Sequence, residues 1–536
     1  MKTGIKHPTE AMMFAQRTFG SSFLARNKLR QLFQTCAALS HHDARMCTIF
    51  AVSSAPGKAG LAVLRISGSK AAEAIRQLGR LKKLPPERKA TLRLLYRPQT
   101  QEAIDRGLML WFPGPRSYTG EDCVEFHVHG GPAVVAAMLE ALGELQEFRH
   151  AEQGEFTKRA FLNGKLDLTE VEGLADLIEA ETESQRKQAL RLVEGELGQM
   201  YNEWREVLIK SLANVEAFID FEEEDNIEHN VMVQAEKDIH DLKASIDAHL
   251  SDSQQGERLR SGVHVAILGQ PNVGKSSLLN AICRRPAAIV SPIAGTTRDV
   301  IETSLNIGGY PVVIGDTAGL RDTEDSIEKE GVRRALNRAE QSDLKILVVD
   351  ADSSLPCTLT SNTLDYHVQT YLNTLGLSDT KMLSKTCASG TEEHLKESNP
   401  NLKDLILVIN KCDLLSIDDV KRLEQLHVQF ESFPVCVVSC VTGQGLDTFL
   451  QMLLLRVKEL CGNPLSGGPR LTQARHRTHL TLCSRHLTGY LESQDDDVVL
   501  AAENLKKAAQ ELGKVIGKIS PEDILDVIFR DFCIGK

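Results

Sequence analysis

The chain has 536 residues, 42% hydrophobic and 25% charged, a globular composition with length for about three domains. Its net charge of -11 excludes a protein that grips nucleic acid over its whole surface, though not a local basic patch, and no apolar run approaches the ~18 residues of a membrane span. The 12 cysteines include no CxxC pair, which points to a reducing compartment; Cys436 and Cys440, on a predicted strand, are spaced for burial rather than for zinc.

Residues 1–46 set Lys2, Lys6, Arg17, Arg26, Lys28, Arg30 and Arg45 against only Glu10 and Asp43, with Phe23, Leu24, Leu29, Leu32 and Phe33 at roughly helical spacing. This Arg-rich, acid-poor leader reads as a mitochondrial transit peptide, a disordered basic tail being the alternative. Folded sequence is expected from Cys47. Thr48 to Val52 and Leu61 to Ile66 read as strands, Ala71 to Leu78 as a helix, and Leu108 to Phe112 and Cys123 to Val128 as further strands around the turn-rich loop 114–122. His127 and His129 alternate on one strand face and, lacking a third ligand, read as packing or hydrogen-bonding residues rather than a metal site. An α+β domain over 47–160 follows.

Residues 161–258 are nearly free of proline, and Leu174, Leu177, Ile178, Leu190, Leu192 and Leu197 suit long packed helices. The acidic run Phe221 to Asp225 reads as a solvated helix end or loop. Ser253 to Gly262 reads as a polar linker into a nucleotide domain spanning 259–462. There, the apolar run Val263 to Leu268 leads into Gly269-Gln270-Pro271-Asn272-Val273-Gly274-Lys275-Ser276, followed by the helical Ser277 to Ile282, which is the strand, P-loop and helix of a phosphate cradle. The glycines let backbone N–H groups curl around phosphate oxygens, Lys275 reaches the β/γ-phosphates and Ser276 ligates magnesium. Ser304 to Ile307 and Val312 to Ile314 read as strands turned at Gly308-Gly309 and delivering Asp316-Thr317-Ala318-Gly319. Lys345 to Val349, Leu405 to Ile409 and Cys436 to Val438 are short apolar runs typical of parallel strands covered on both faces, so a doubly wound α/β domain is expected, with its ligand at the strands' carboxyl ends. Residues 352–401 read as a surface insertion. Residues 463–536 return to helical patterning, and the two helical blocks read as one domain cut in two by the nucleotide domain.

Asn410-Lys411-Cys412-Asp413 directly after a strand indicates guanine, because the Asp413 carboxylate can accept both N1–H and the exocyclic amine; Ser439-Cys440-Val441 fits the loop that supports the base. Leu320 stands where Ras-type GTPases carry the glutamine that orients the attacking water, which leaves Glu324, Asp325, Glu328 and Glu330 as candidates for that task. No arginine announces itself as the activating cation. The Asn272 amide beside the β/γ-phosphates could ligate a monovalent ion such as potassium instead, the alternative being a plain turn residue.

Taken together, GQPNVGKSSLLN, IAGTTRDV, DTAGLRDTEDSIEKEG, NKCD, GPRSYTGEDCVEFHVHGG, GEFTKRAFLNGKLDL and the terminal FCIGK resemble the MnmE (TrmE) family of tRNA-modifying GTPases over about residues 47–536, and with the leader its eukaryotic mitochondrial member. The resemblance implies three domains: an α+β domain that binds a tetrahydrofolate derivative (5-formyl- or 5,10-methylene-) and dimerises, a discontinuous all-α domain, and an inserted α/β Ras-like GTPase. It further implies a homodimer in the mitochondrial matrix, potassium-dependent pairing of the GTPase domains, and a FAD-dependent MnmG-type partner. With that partner, the family modifies C5 of the wobble uridine of certain tRNAs, with carboxymethylaminomethyl in bacteria and taurinomethyl in animal mitochondria.

By motif, Asn272, Val273, Gly274, Lys275, Ser276, Ser277, Thr296, Thr297, Asp316, Gly319, Asn410, Lys411 and Asp413 match GTP-binding positions. Ser276 and Thr297 match magnesium ligands, and Asn272, Ser291, Ile293 and Thr296 the potassium site, although Ser291 replaces a threonine usual in bacterial members. Glu328 matches the water-positioning glutamate. Arg65, Glu125, Lys165 and Lys536 match folate contacts, and Cys533 lies beside the one-carbon site unless it is only a half-buried terminal thiol. Arg116 and the 352–401 insertion depart from the family pattern. Competing readings are a ribosome-assembly GTPase without modification chemistry, which would carry a KH-type domain with a GXXG loop after the GTPase, and a GTP-regulated folate enzyme of the aminomethyltransferase type.

Overall fold

The structure, a computed structural model, describes residues 47–221, 230–270, 272–285, 288–290, 302–315, 341–351, 404–427, 433–464, 468–471, 473–493, 497–518 and 535. These residues form two compact units, one of 47–167 with Gly535 and one of 168–518.

In the first unit, strands β1 (Thr48–Val52), β2 (Ala59–Ser67), β3 (Thr91–Tyr96), β4 (Ala103–Phe112), β5 (Cys123–Gly130) and β6 (Phe148–His150) make one sheet in the order β3-β4-β5-β2-β1-β6. Every pairing is antiparallel except β1 with β6. Strand alternation sorts the faces. Leu64, Ile66, Val124, Phe126 and Met109 are buried with Ile75 and Leu78 of α1 (Ala71–Leu78) and Met138 and Leu142 of α2 (Pro132–Gly143), while Arg65, Glu125 and His127 point to the other face. β3, β6 and α2 were not expected from sequence. β3 reads TLRLLY with three consecutive exposed residues, so its period-2 signal is weak.

Helix α3 (Glu155–Leu162) straddles the domain boundary expected at residue 160. Its residues pin the 114–122 loop. Arg159 bridges Glu121 and Glu155 at 3.0 Å each and donates to the Cys47 carbonyl, while Ser67 Oγ lies 2.6 Å from Thr119 Oγ1 and donates to Glu121. The loop is therefore held by buried, satisfied polar groups.

The second unit contains a helical bundle and a seven-stranded sheet. Helices α4 (Leu168–Glu179), α5 (Glu183–Val193), α6 (Glu196–Phe221) and α7 (Asn230–Ser251) precede the sheet in sequence, and α12 (Ala474–Ser493) and α13 (Val498–Val515) follow it. All but α4 share one core: Leu197, Tyr201, Leu208, Ile239 and Ile246 pack with Leu480, Leu487, Tyr490, Leu505 and Leu512, and Leu192 of α5 joins them. Ile178 and Leu190, expected to pack, are instead 39% and 37% exposed, because Val171, Ala189 and Leu192 already fill the buried faces of α4 and α5. Thr182 caps α5 in a capping box with Gln185.

The expected linker is a helix, α8 (Ser253–Ser261), and the boundary expected at 258/259 falls within it. Its one apolar anchor, Leu259, is fully buried in the core of the nucleotide domain, which outweighs a polar composition. Strands β7 (Val263–Leu268), β8 (Ala288–Val290), β9 (Glu302–Ile307), β10 (Tyr310–Gly315), β11 (Leu344–Asp350), β12 (Leu405–Asn410) and β13 (Val435–Val437) lie in the order β13-β12-β11-β7-β10-β9-β8. β13, β12, β11, β7 and β10 are parallel, and β10-β9-β8 antiparallel. Separate apolar clusters cover the two faces, one including α9 (Lys275–Cys283) and α11 (Leu446–Cys461) and the other including Leu423 of α10 (Ile417–His427). This explains why the β12 sequence LILVIN is buried at all six positions. Cys440 lies beyond the end of β13 and not on it, and is half-buried.

Candidate functional site

Parallel register brings the carboxyl ends of β7, β11, β12 and β13 to one edge: Leu268 pairs with Leu347, Asp350 with Asn410 and Ile409 with Val437. The P-loop leaves β7 at this edge. Gly269 has φ 153° and Gly274 φ 96°; a Cβ at Gly269 would strike the Val348 carbonyl, and one at Gly274 would strike Asn410 Nδ2. Only glycine allows that approach. α9 begins immediately after Gly274 with no side-chain cap at its N-terminus, and Ser276 and Ser277 are exposed at its first turn. Lys275 Nζ donates to the Gly269 carbonyl at 3.0 Å and the Gln270 carbonyl at 2.8 Å, so its charge already sits over the loop crest. Val273 is buried beneath the loop, and Asn272 is exposed at φ 63°, a left-handed conformation that asparagine tolerates.

The base loop is braced by the same asparagine that limits Gly274. Asn410, 2% exposed, donates from Nδ2 to the Val273 carbonyl at 2.9 Å and accepts from the Cys440 N–H at 3.3 Å, tying the P-loop, β12 and the loop after β13 together. Lys411, at φ 65°, pairs with Asp350 at 2.6 Å. Ser439 Oγ donates to Asp413 Oδ1 at 2.5 Å, orienting the carboxylate expected to read guanine. Asp350 and the Ser439 hydroxyl were missed in the sequence; the parallel register of β11 and β12 is the signal that places Asp350 beside the loop. An open cavity of about 380 Å³ lies between α9 and the loop after β13, lined by Ser277, Asn280, Arg284, Cys440 and Thr442 among others. Burial, then the Asp413 charge, pushes the Cys440 thiol up to about 11, and burial pushes Cys436 up to about 12. No group of three potential metal ligands occurs among the described residues.

On the first unit, Arg65 and Glu125 face each other across β2 and β5, 3.1 Å apart. The Arg65 guanidinium lies 5.1 Å from the Tyr118 ring centroid and 6.0 Å from that of Phe156, and the Tyr118 hydroxyl is 2.8 Å from Thr157 Oγ1. Tyr118 was not singled out from sequence, although it sits inside the quoted 114–131 motif. His127 Nε2 lies 3.3 Å from Glu125, and His129 Nδ1 2.8 Å from Asp105, so both histidines make hydrogen bonds. Lys165 is exposed on the turn after α3, packed near Gly120 and Asn163, without a described contact to Arg65 or Glu125. Gly535 lies against the end of β1: its carbonyl accepts from Ser53 Oγ at 2.9 Å, and a Cβ there would strike the Val52 carbonyl. Val52 is one residue along from Ala51, the strand partner of Arg65. Ser291, Ile293, Thr296, Thr297, Asp316, Gly319, Glu328, Cys533 and Lys536 lie outside the described residues, as do residues 222–225 of the acidic run, the 1–46 leader and the 352–401 insertion.

Residues 48–165 match the family description "GTP-binding protein TrmE N-terminus" and residues 168–533 match "MnmE helical domain". The chain is 51% identical over 490 residues to the mitochondrial 5-taurinomethyluridine-tRNA synthase subunit GTPB3 of Danio rerio, covering 91% of this chain and 93% of the relative. Its Homo sapiens counterpart is 48% identical with the same coverage. The tRNA modification GTPase MnmE of Parvibaculum lavamentivorans is 46% identical, covering 92% of this chain and all of the bacterial protein. With both flanks of the nucleotide domain matched and the phosphate and base loops assembled at one sheet edge, this chain belongs to the MnmE/TrmE family of tRNA modification GTPases.

Proposed function

We propose that this protein is a mitochondrial, potassium-dependent GTPase that, as a homodimer working with a FAD-dependent MnmG-type partner, installs a taurinomethyl-type group at C5 of the wobble uridine of mitochondrial tRNAs, using a tetrahydrofolate one-carbon unit. The carrying observation is the joined pair of loops: Asn410 links the P-loop to the guanine-reading loop, on a chain similar over 91% of its length to mitochondrial taurinomethyluridine synthase subunits.

The residues supply binding and orientation. Lys275 would exchange its carbonyl partners for the β/γ-phosphates, the α9 N-terminus would face the phosphates, and Ser276 with Thr297 would hold the magnesium that offsets their charge. Asp413, held by Ser439, accepts the guanine donors. Asn272, with Ser291, Ile293 and Thr296, fits potassium, which would supply the positive charge that an arginine finger supplies elsewhere. Glu328 orients the attacking water, since the Leu320 side chain cannot hydrogen-bond. On the first unit, Arg65, Glu125, Lys165 and Lys536 would hold the folate, with the Tyr118 ring beside Arg65 and Gly535 against the end of β1. Leu92 and Leu108, cross-strand neighbours 58% and 36% exposed on the outer sheet face, offer an apolar surface for the dimer.

Mass spectrometry of mitochondrial tRNA nucleosides from depleted cells tests the reading. Loss of the uridine C5 modification is expected, restored by wild type. Intact modification sinks the proposal and favours a ribosome-assembly role.

A further inference from the structure

The loop between α1 and β3, with the first half of β3, concentrates positive charge in an acidic protein. Residues 80–93 hold Arg80, Lys82, Lys83, Arg88, Lys89 and Arg93 against a single carboxylate, Glu87, whereas the chain as a whole carries 62 bases and 73 acids. All six cations are exposed.

They sit on a fixed scaffold. The Arg88 N–H donates to the Trp111 carbonyl at 2.9 Å and the Lys89 N–H to the Pro86 carbonyl at 3.3 Å, while Pro85 is buried. The Arg88 guanidinium donates to the Arg116 carbonyl, which brings Arg116, its side chain 73% exposed, to the same end of the strip. Glu87 is shared between Arg88 at 3.5 Å and Arg116 at 3.7 Å, so it neutralises little. At the other end Arg80 stacks 3.5 Å over the Tyr96 ring and donates to the Gln101 carbonyl, contacts that hold the group without supplying a counter-charge. Among the described residues, no carboxylate lies within 4.0 Å of Lys82, Lys83, Lys89 or Arg93.

β3 is the edge of its sheet, and a cation on an edge strand is ordinarily explained as protection against edge pairing. That accounts for Arg93. It does not account for Lys82, Lys83, Arg88 and Lys89, which precede the strand and guard no ladder. Because side chains alternate, Arg93 lies on the face opposite Leu92 and Leu94, so pairing two copies through the apolar face leaves Arg93 open.

We propose that the 80–93 strip, with Arg116, is a docking surface for the sugar-phosphate backbone of RNA, and that it positions the tRNA substrate on the first unit. This rests on the proposed tRNA-modifying function and adds where the RNA lies. Lysine and arginine contacts to phosphate fix register without reading bases, so the strip serves different tRNAs alike.

The test uses the full-length protein and a tRNA transcript, measuring affinity as salt is varied. Lys82→Ala, Lys83→Ala, Lys89→Ala and Arg93→Ala combined should weaken binding more than about tenfold near physiological salt and lower the log–log salt slope by roughly 3 to 4, about 0.7–0.9 for each of the four lost phosphate contacts. Replacing the three lysines with arginine instead should keep both. GTP hydrolysis by the protein alone should not change, since none of these residues belongs to the nucleotide site. Wild-type affinity and slope in the alanine variant overturn the strip, as does a variant that keeps tRNA but loses binding to vesicles of anionic phospholipid. A wild-type protein without tRNA affinity also overturns it. Nucleoside analysis in depleted cells decides the modification function independently.

Discussion

Glu172 of α4 is almost fully buried between two residues of α12: its Oε2 lies 2.6 Å from His476 Nε2 and its Oε1 2.9 Å from Arg475. Burial alone pushes this carboxyl up, but His476 and Arg475 outweigh it and hold it at about 2, against an ordinary 4.5. Burial also depresses His249, to about 4 from 6.5, beside the Tyr201 hydroxyl at 3.1 Å. The two act in different pH windows. A depressed histidine favours the neutral form in the fold, so its stabilisation is full above 6.5 and lost as pH falls towards 4; that of Glu172 is full above 4.5 and lost only as pH approaches 2. Urea unfolding followed by circular dichroism should therefore show the bundle weakening between pH 6.5 and 4.5, and His249→Gln should flatten its share of that decline, the remainder belonging to His476, which burial also lowers. An unchanged slope would remove His249 as its cause. Glu172→Ala, which strands two buried partners, should cost about 3–5 kcal/mol at neutral pH. At the nucleotide, Glu328→Ala should keep GTP binding while phosphate release falls at least about 100-fold, and wild-type turnover should be faster in potassium than in sodium. Near-normal turnover would return the water-positioning role to Glu324 or Asp325, and equal rates in the two salts would remove potassium from the mechanism.

The junction of the P-loop with the base loop depends on one close approach. Gly274→Ala adds a Cβ against Asn410 Nδ2 at a residue with φ 96°, so both the backbone conformation and the Asn410 brace are lost. GTP affinity measured by titration with a fluorescent analogue should fall more than about tenfold, the cost of roughly one buried polar group left unsatisfied, while the far-ultraviolet spectrum stays native. Normal affinity would mean that the brace is dispensable. The parallel strands were legible because burial on both faces leaves an unbroken apolar run, and the loops because each motif directly follows such a run. Elements carried by a single anchor were not. α8 reads SQQGERLRS, and only its tertiary contact through Leu259 tells it from a linker. β3 is an edge strand whose exposed Leu92, Arg93 and Leu94 erase the alternation that marks a half-buried strand. The Arg65–Glu125 pair was found through its motifs, whereas Tyr118 and Asp350 enter only through pairings far apart in sequence, which no local pattern encodes.

The proposed GTP and folate positions fall in different compact units. The GTP loops lie within residues 168–518, while Arg65, Glu125, Lys165 and the chain end at Gly535 lie in the other unit. A ligand stabilises the unit it binds by mass action, by about 2.7 kcal/mol at one hundred times its dissociation constant, and a multidomain chain need not unfold in one step. The bundle shares its unit with the nucleotide sheet through α8 and through Ser184 of α5, whose N–H and Oγ both donate to the Gly309 carbonyl in the β9–β10 turn, at 3.0 and 2.6 Å. GTP with magnesium should therefore raise a calorimetric transition that includes the helical bundle, so that Glu172→Ala lowers the same transition. 5-Formyltetrahydrofolate should raise a different one, which Arg65→Ala abolishes without touching the response to GTP. If both ligands raised a single common transition, the units would unfold as one cooperative body and the separation of the sites would carry no thermodynamic weight. If folate raised the transition that GTP raises and Arg65→Ala left that effect intact, the folate site would have to be moved off the β2–β5 sheet face.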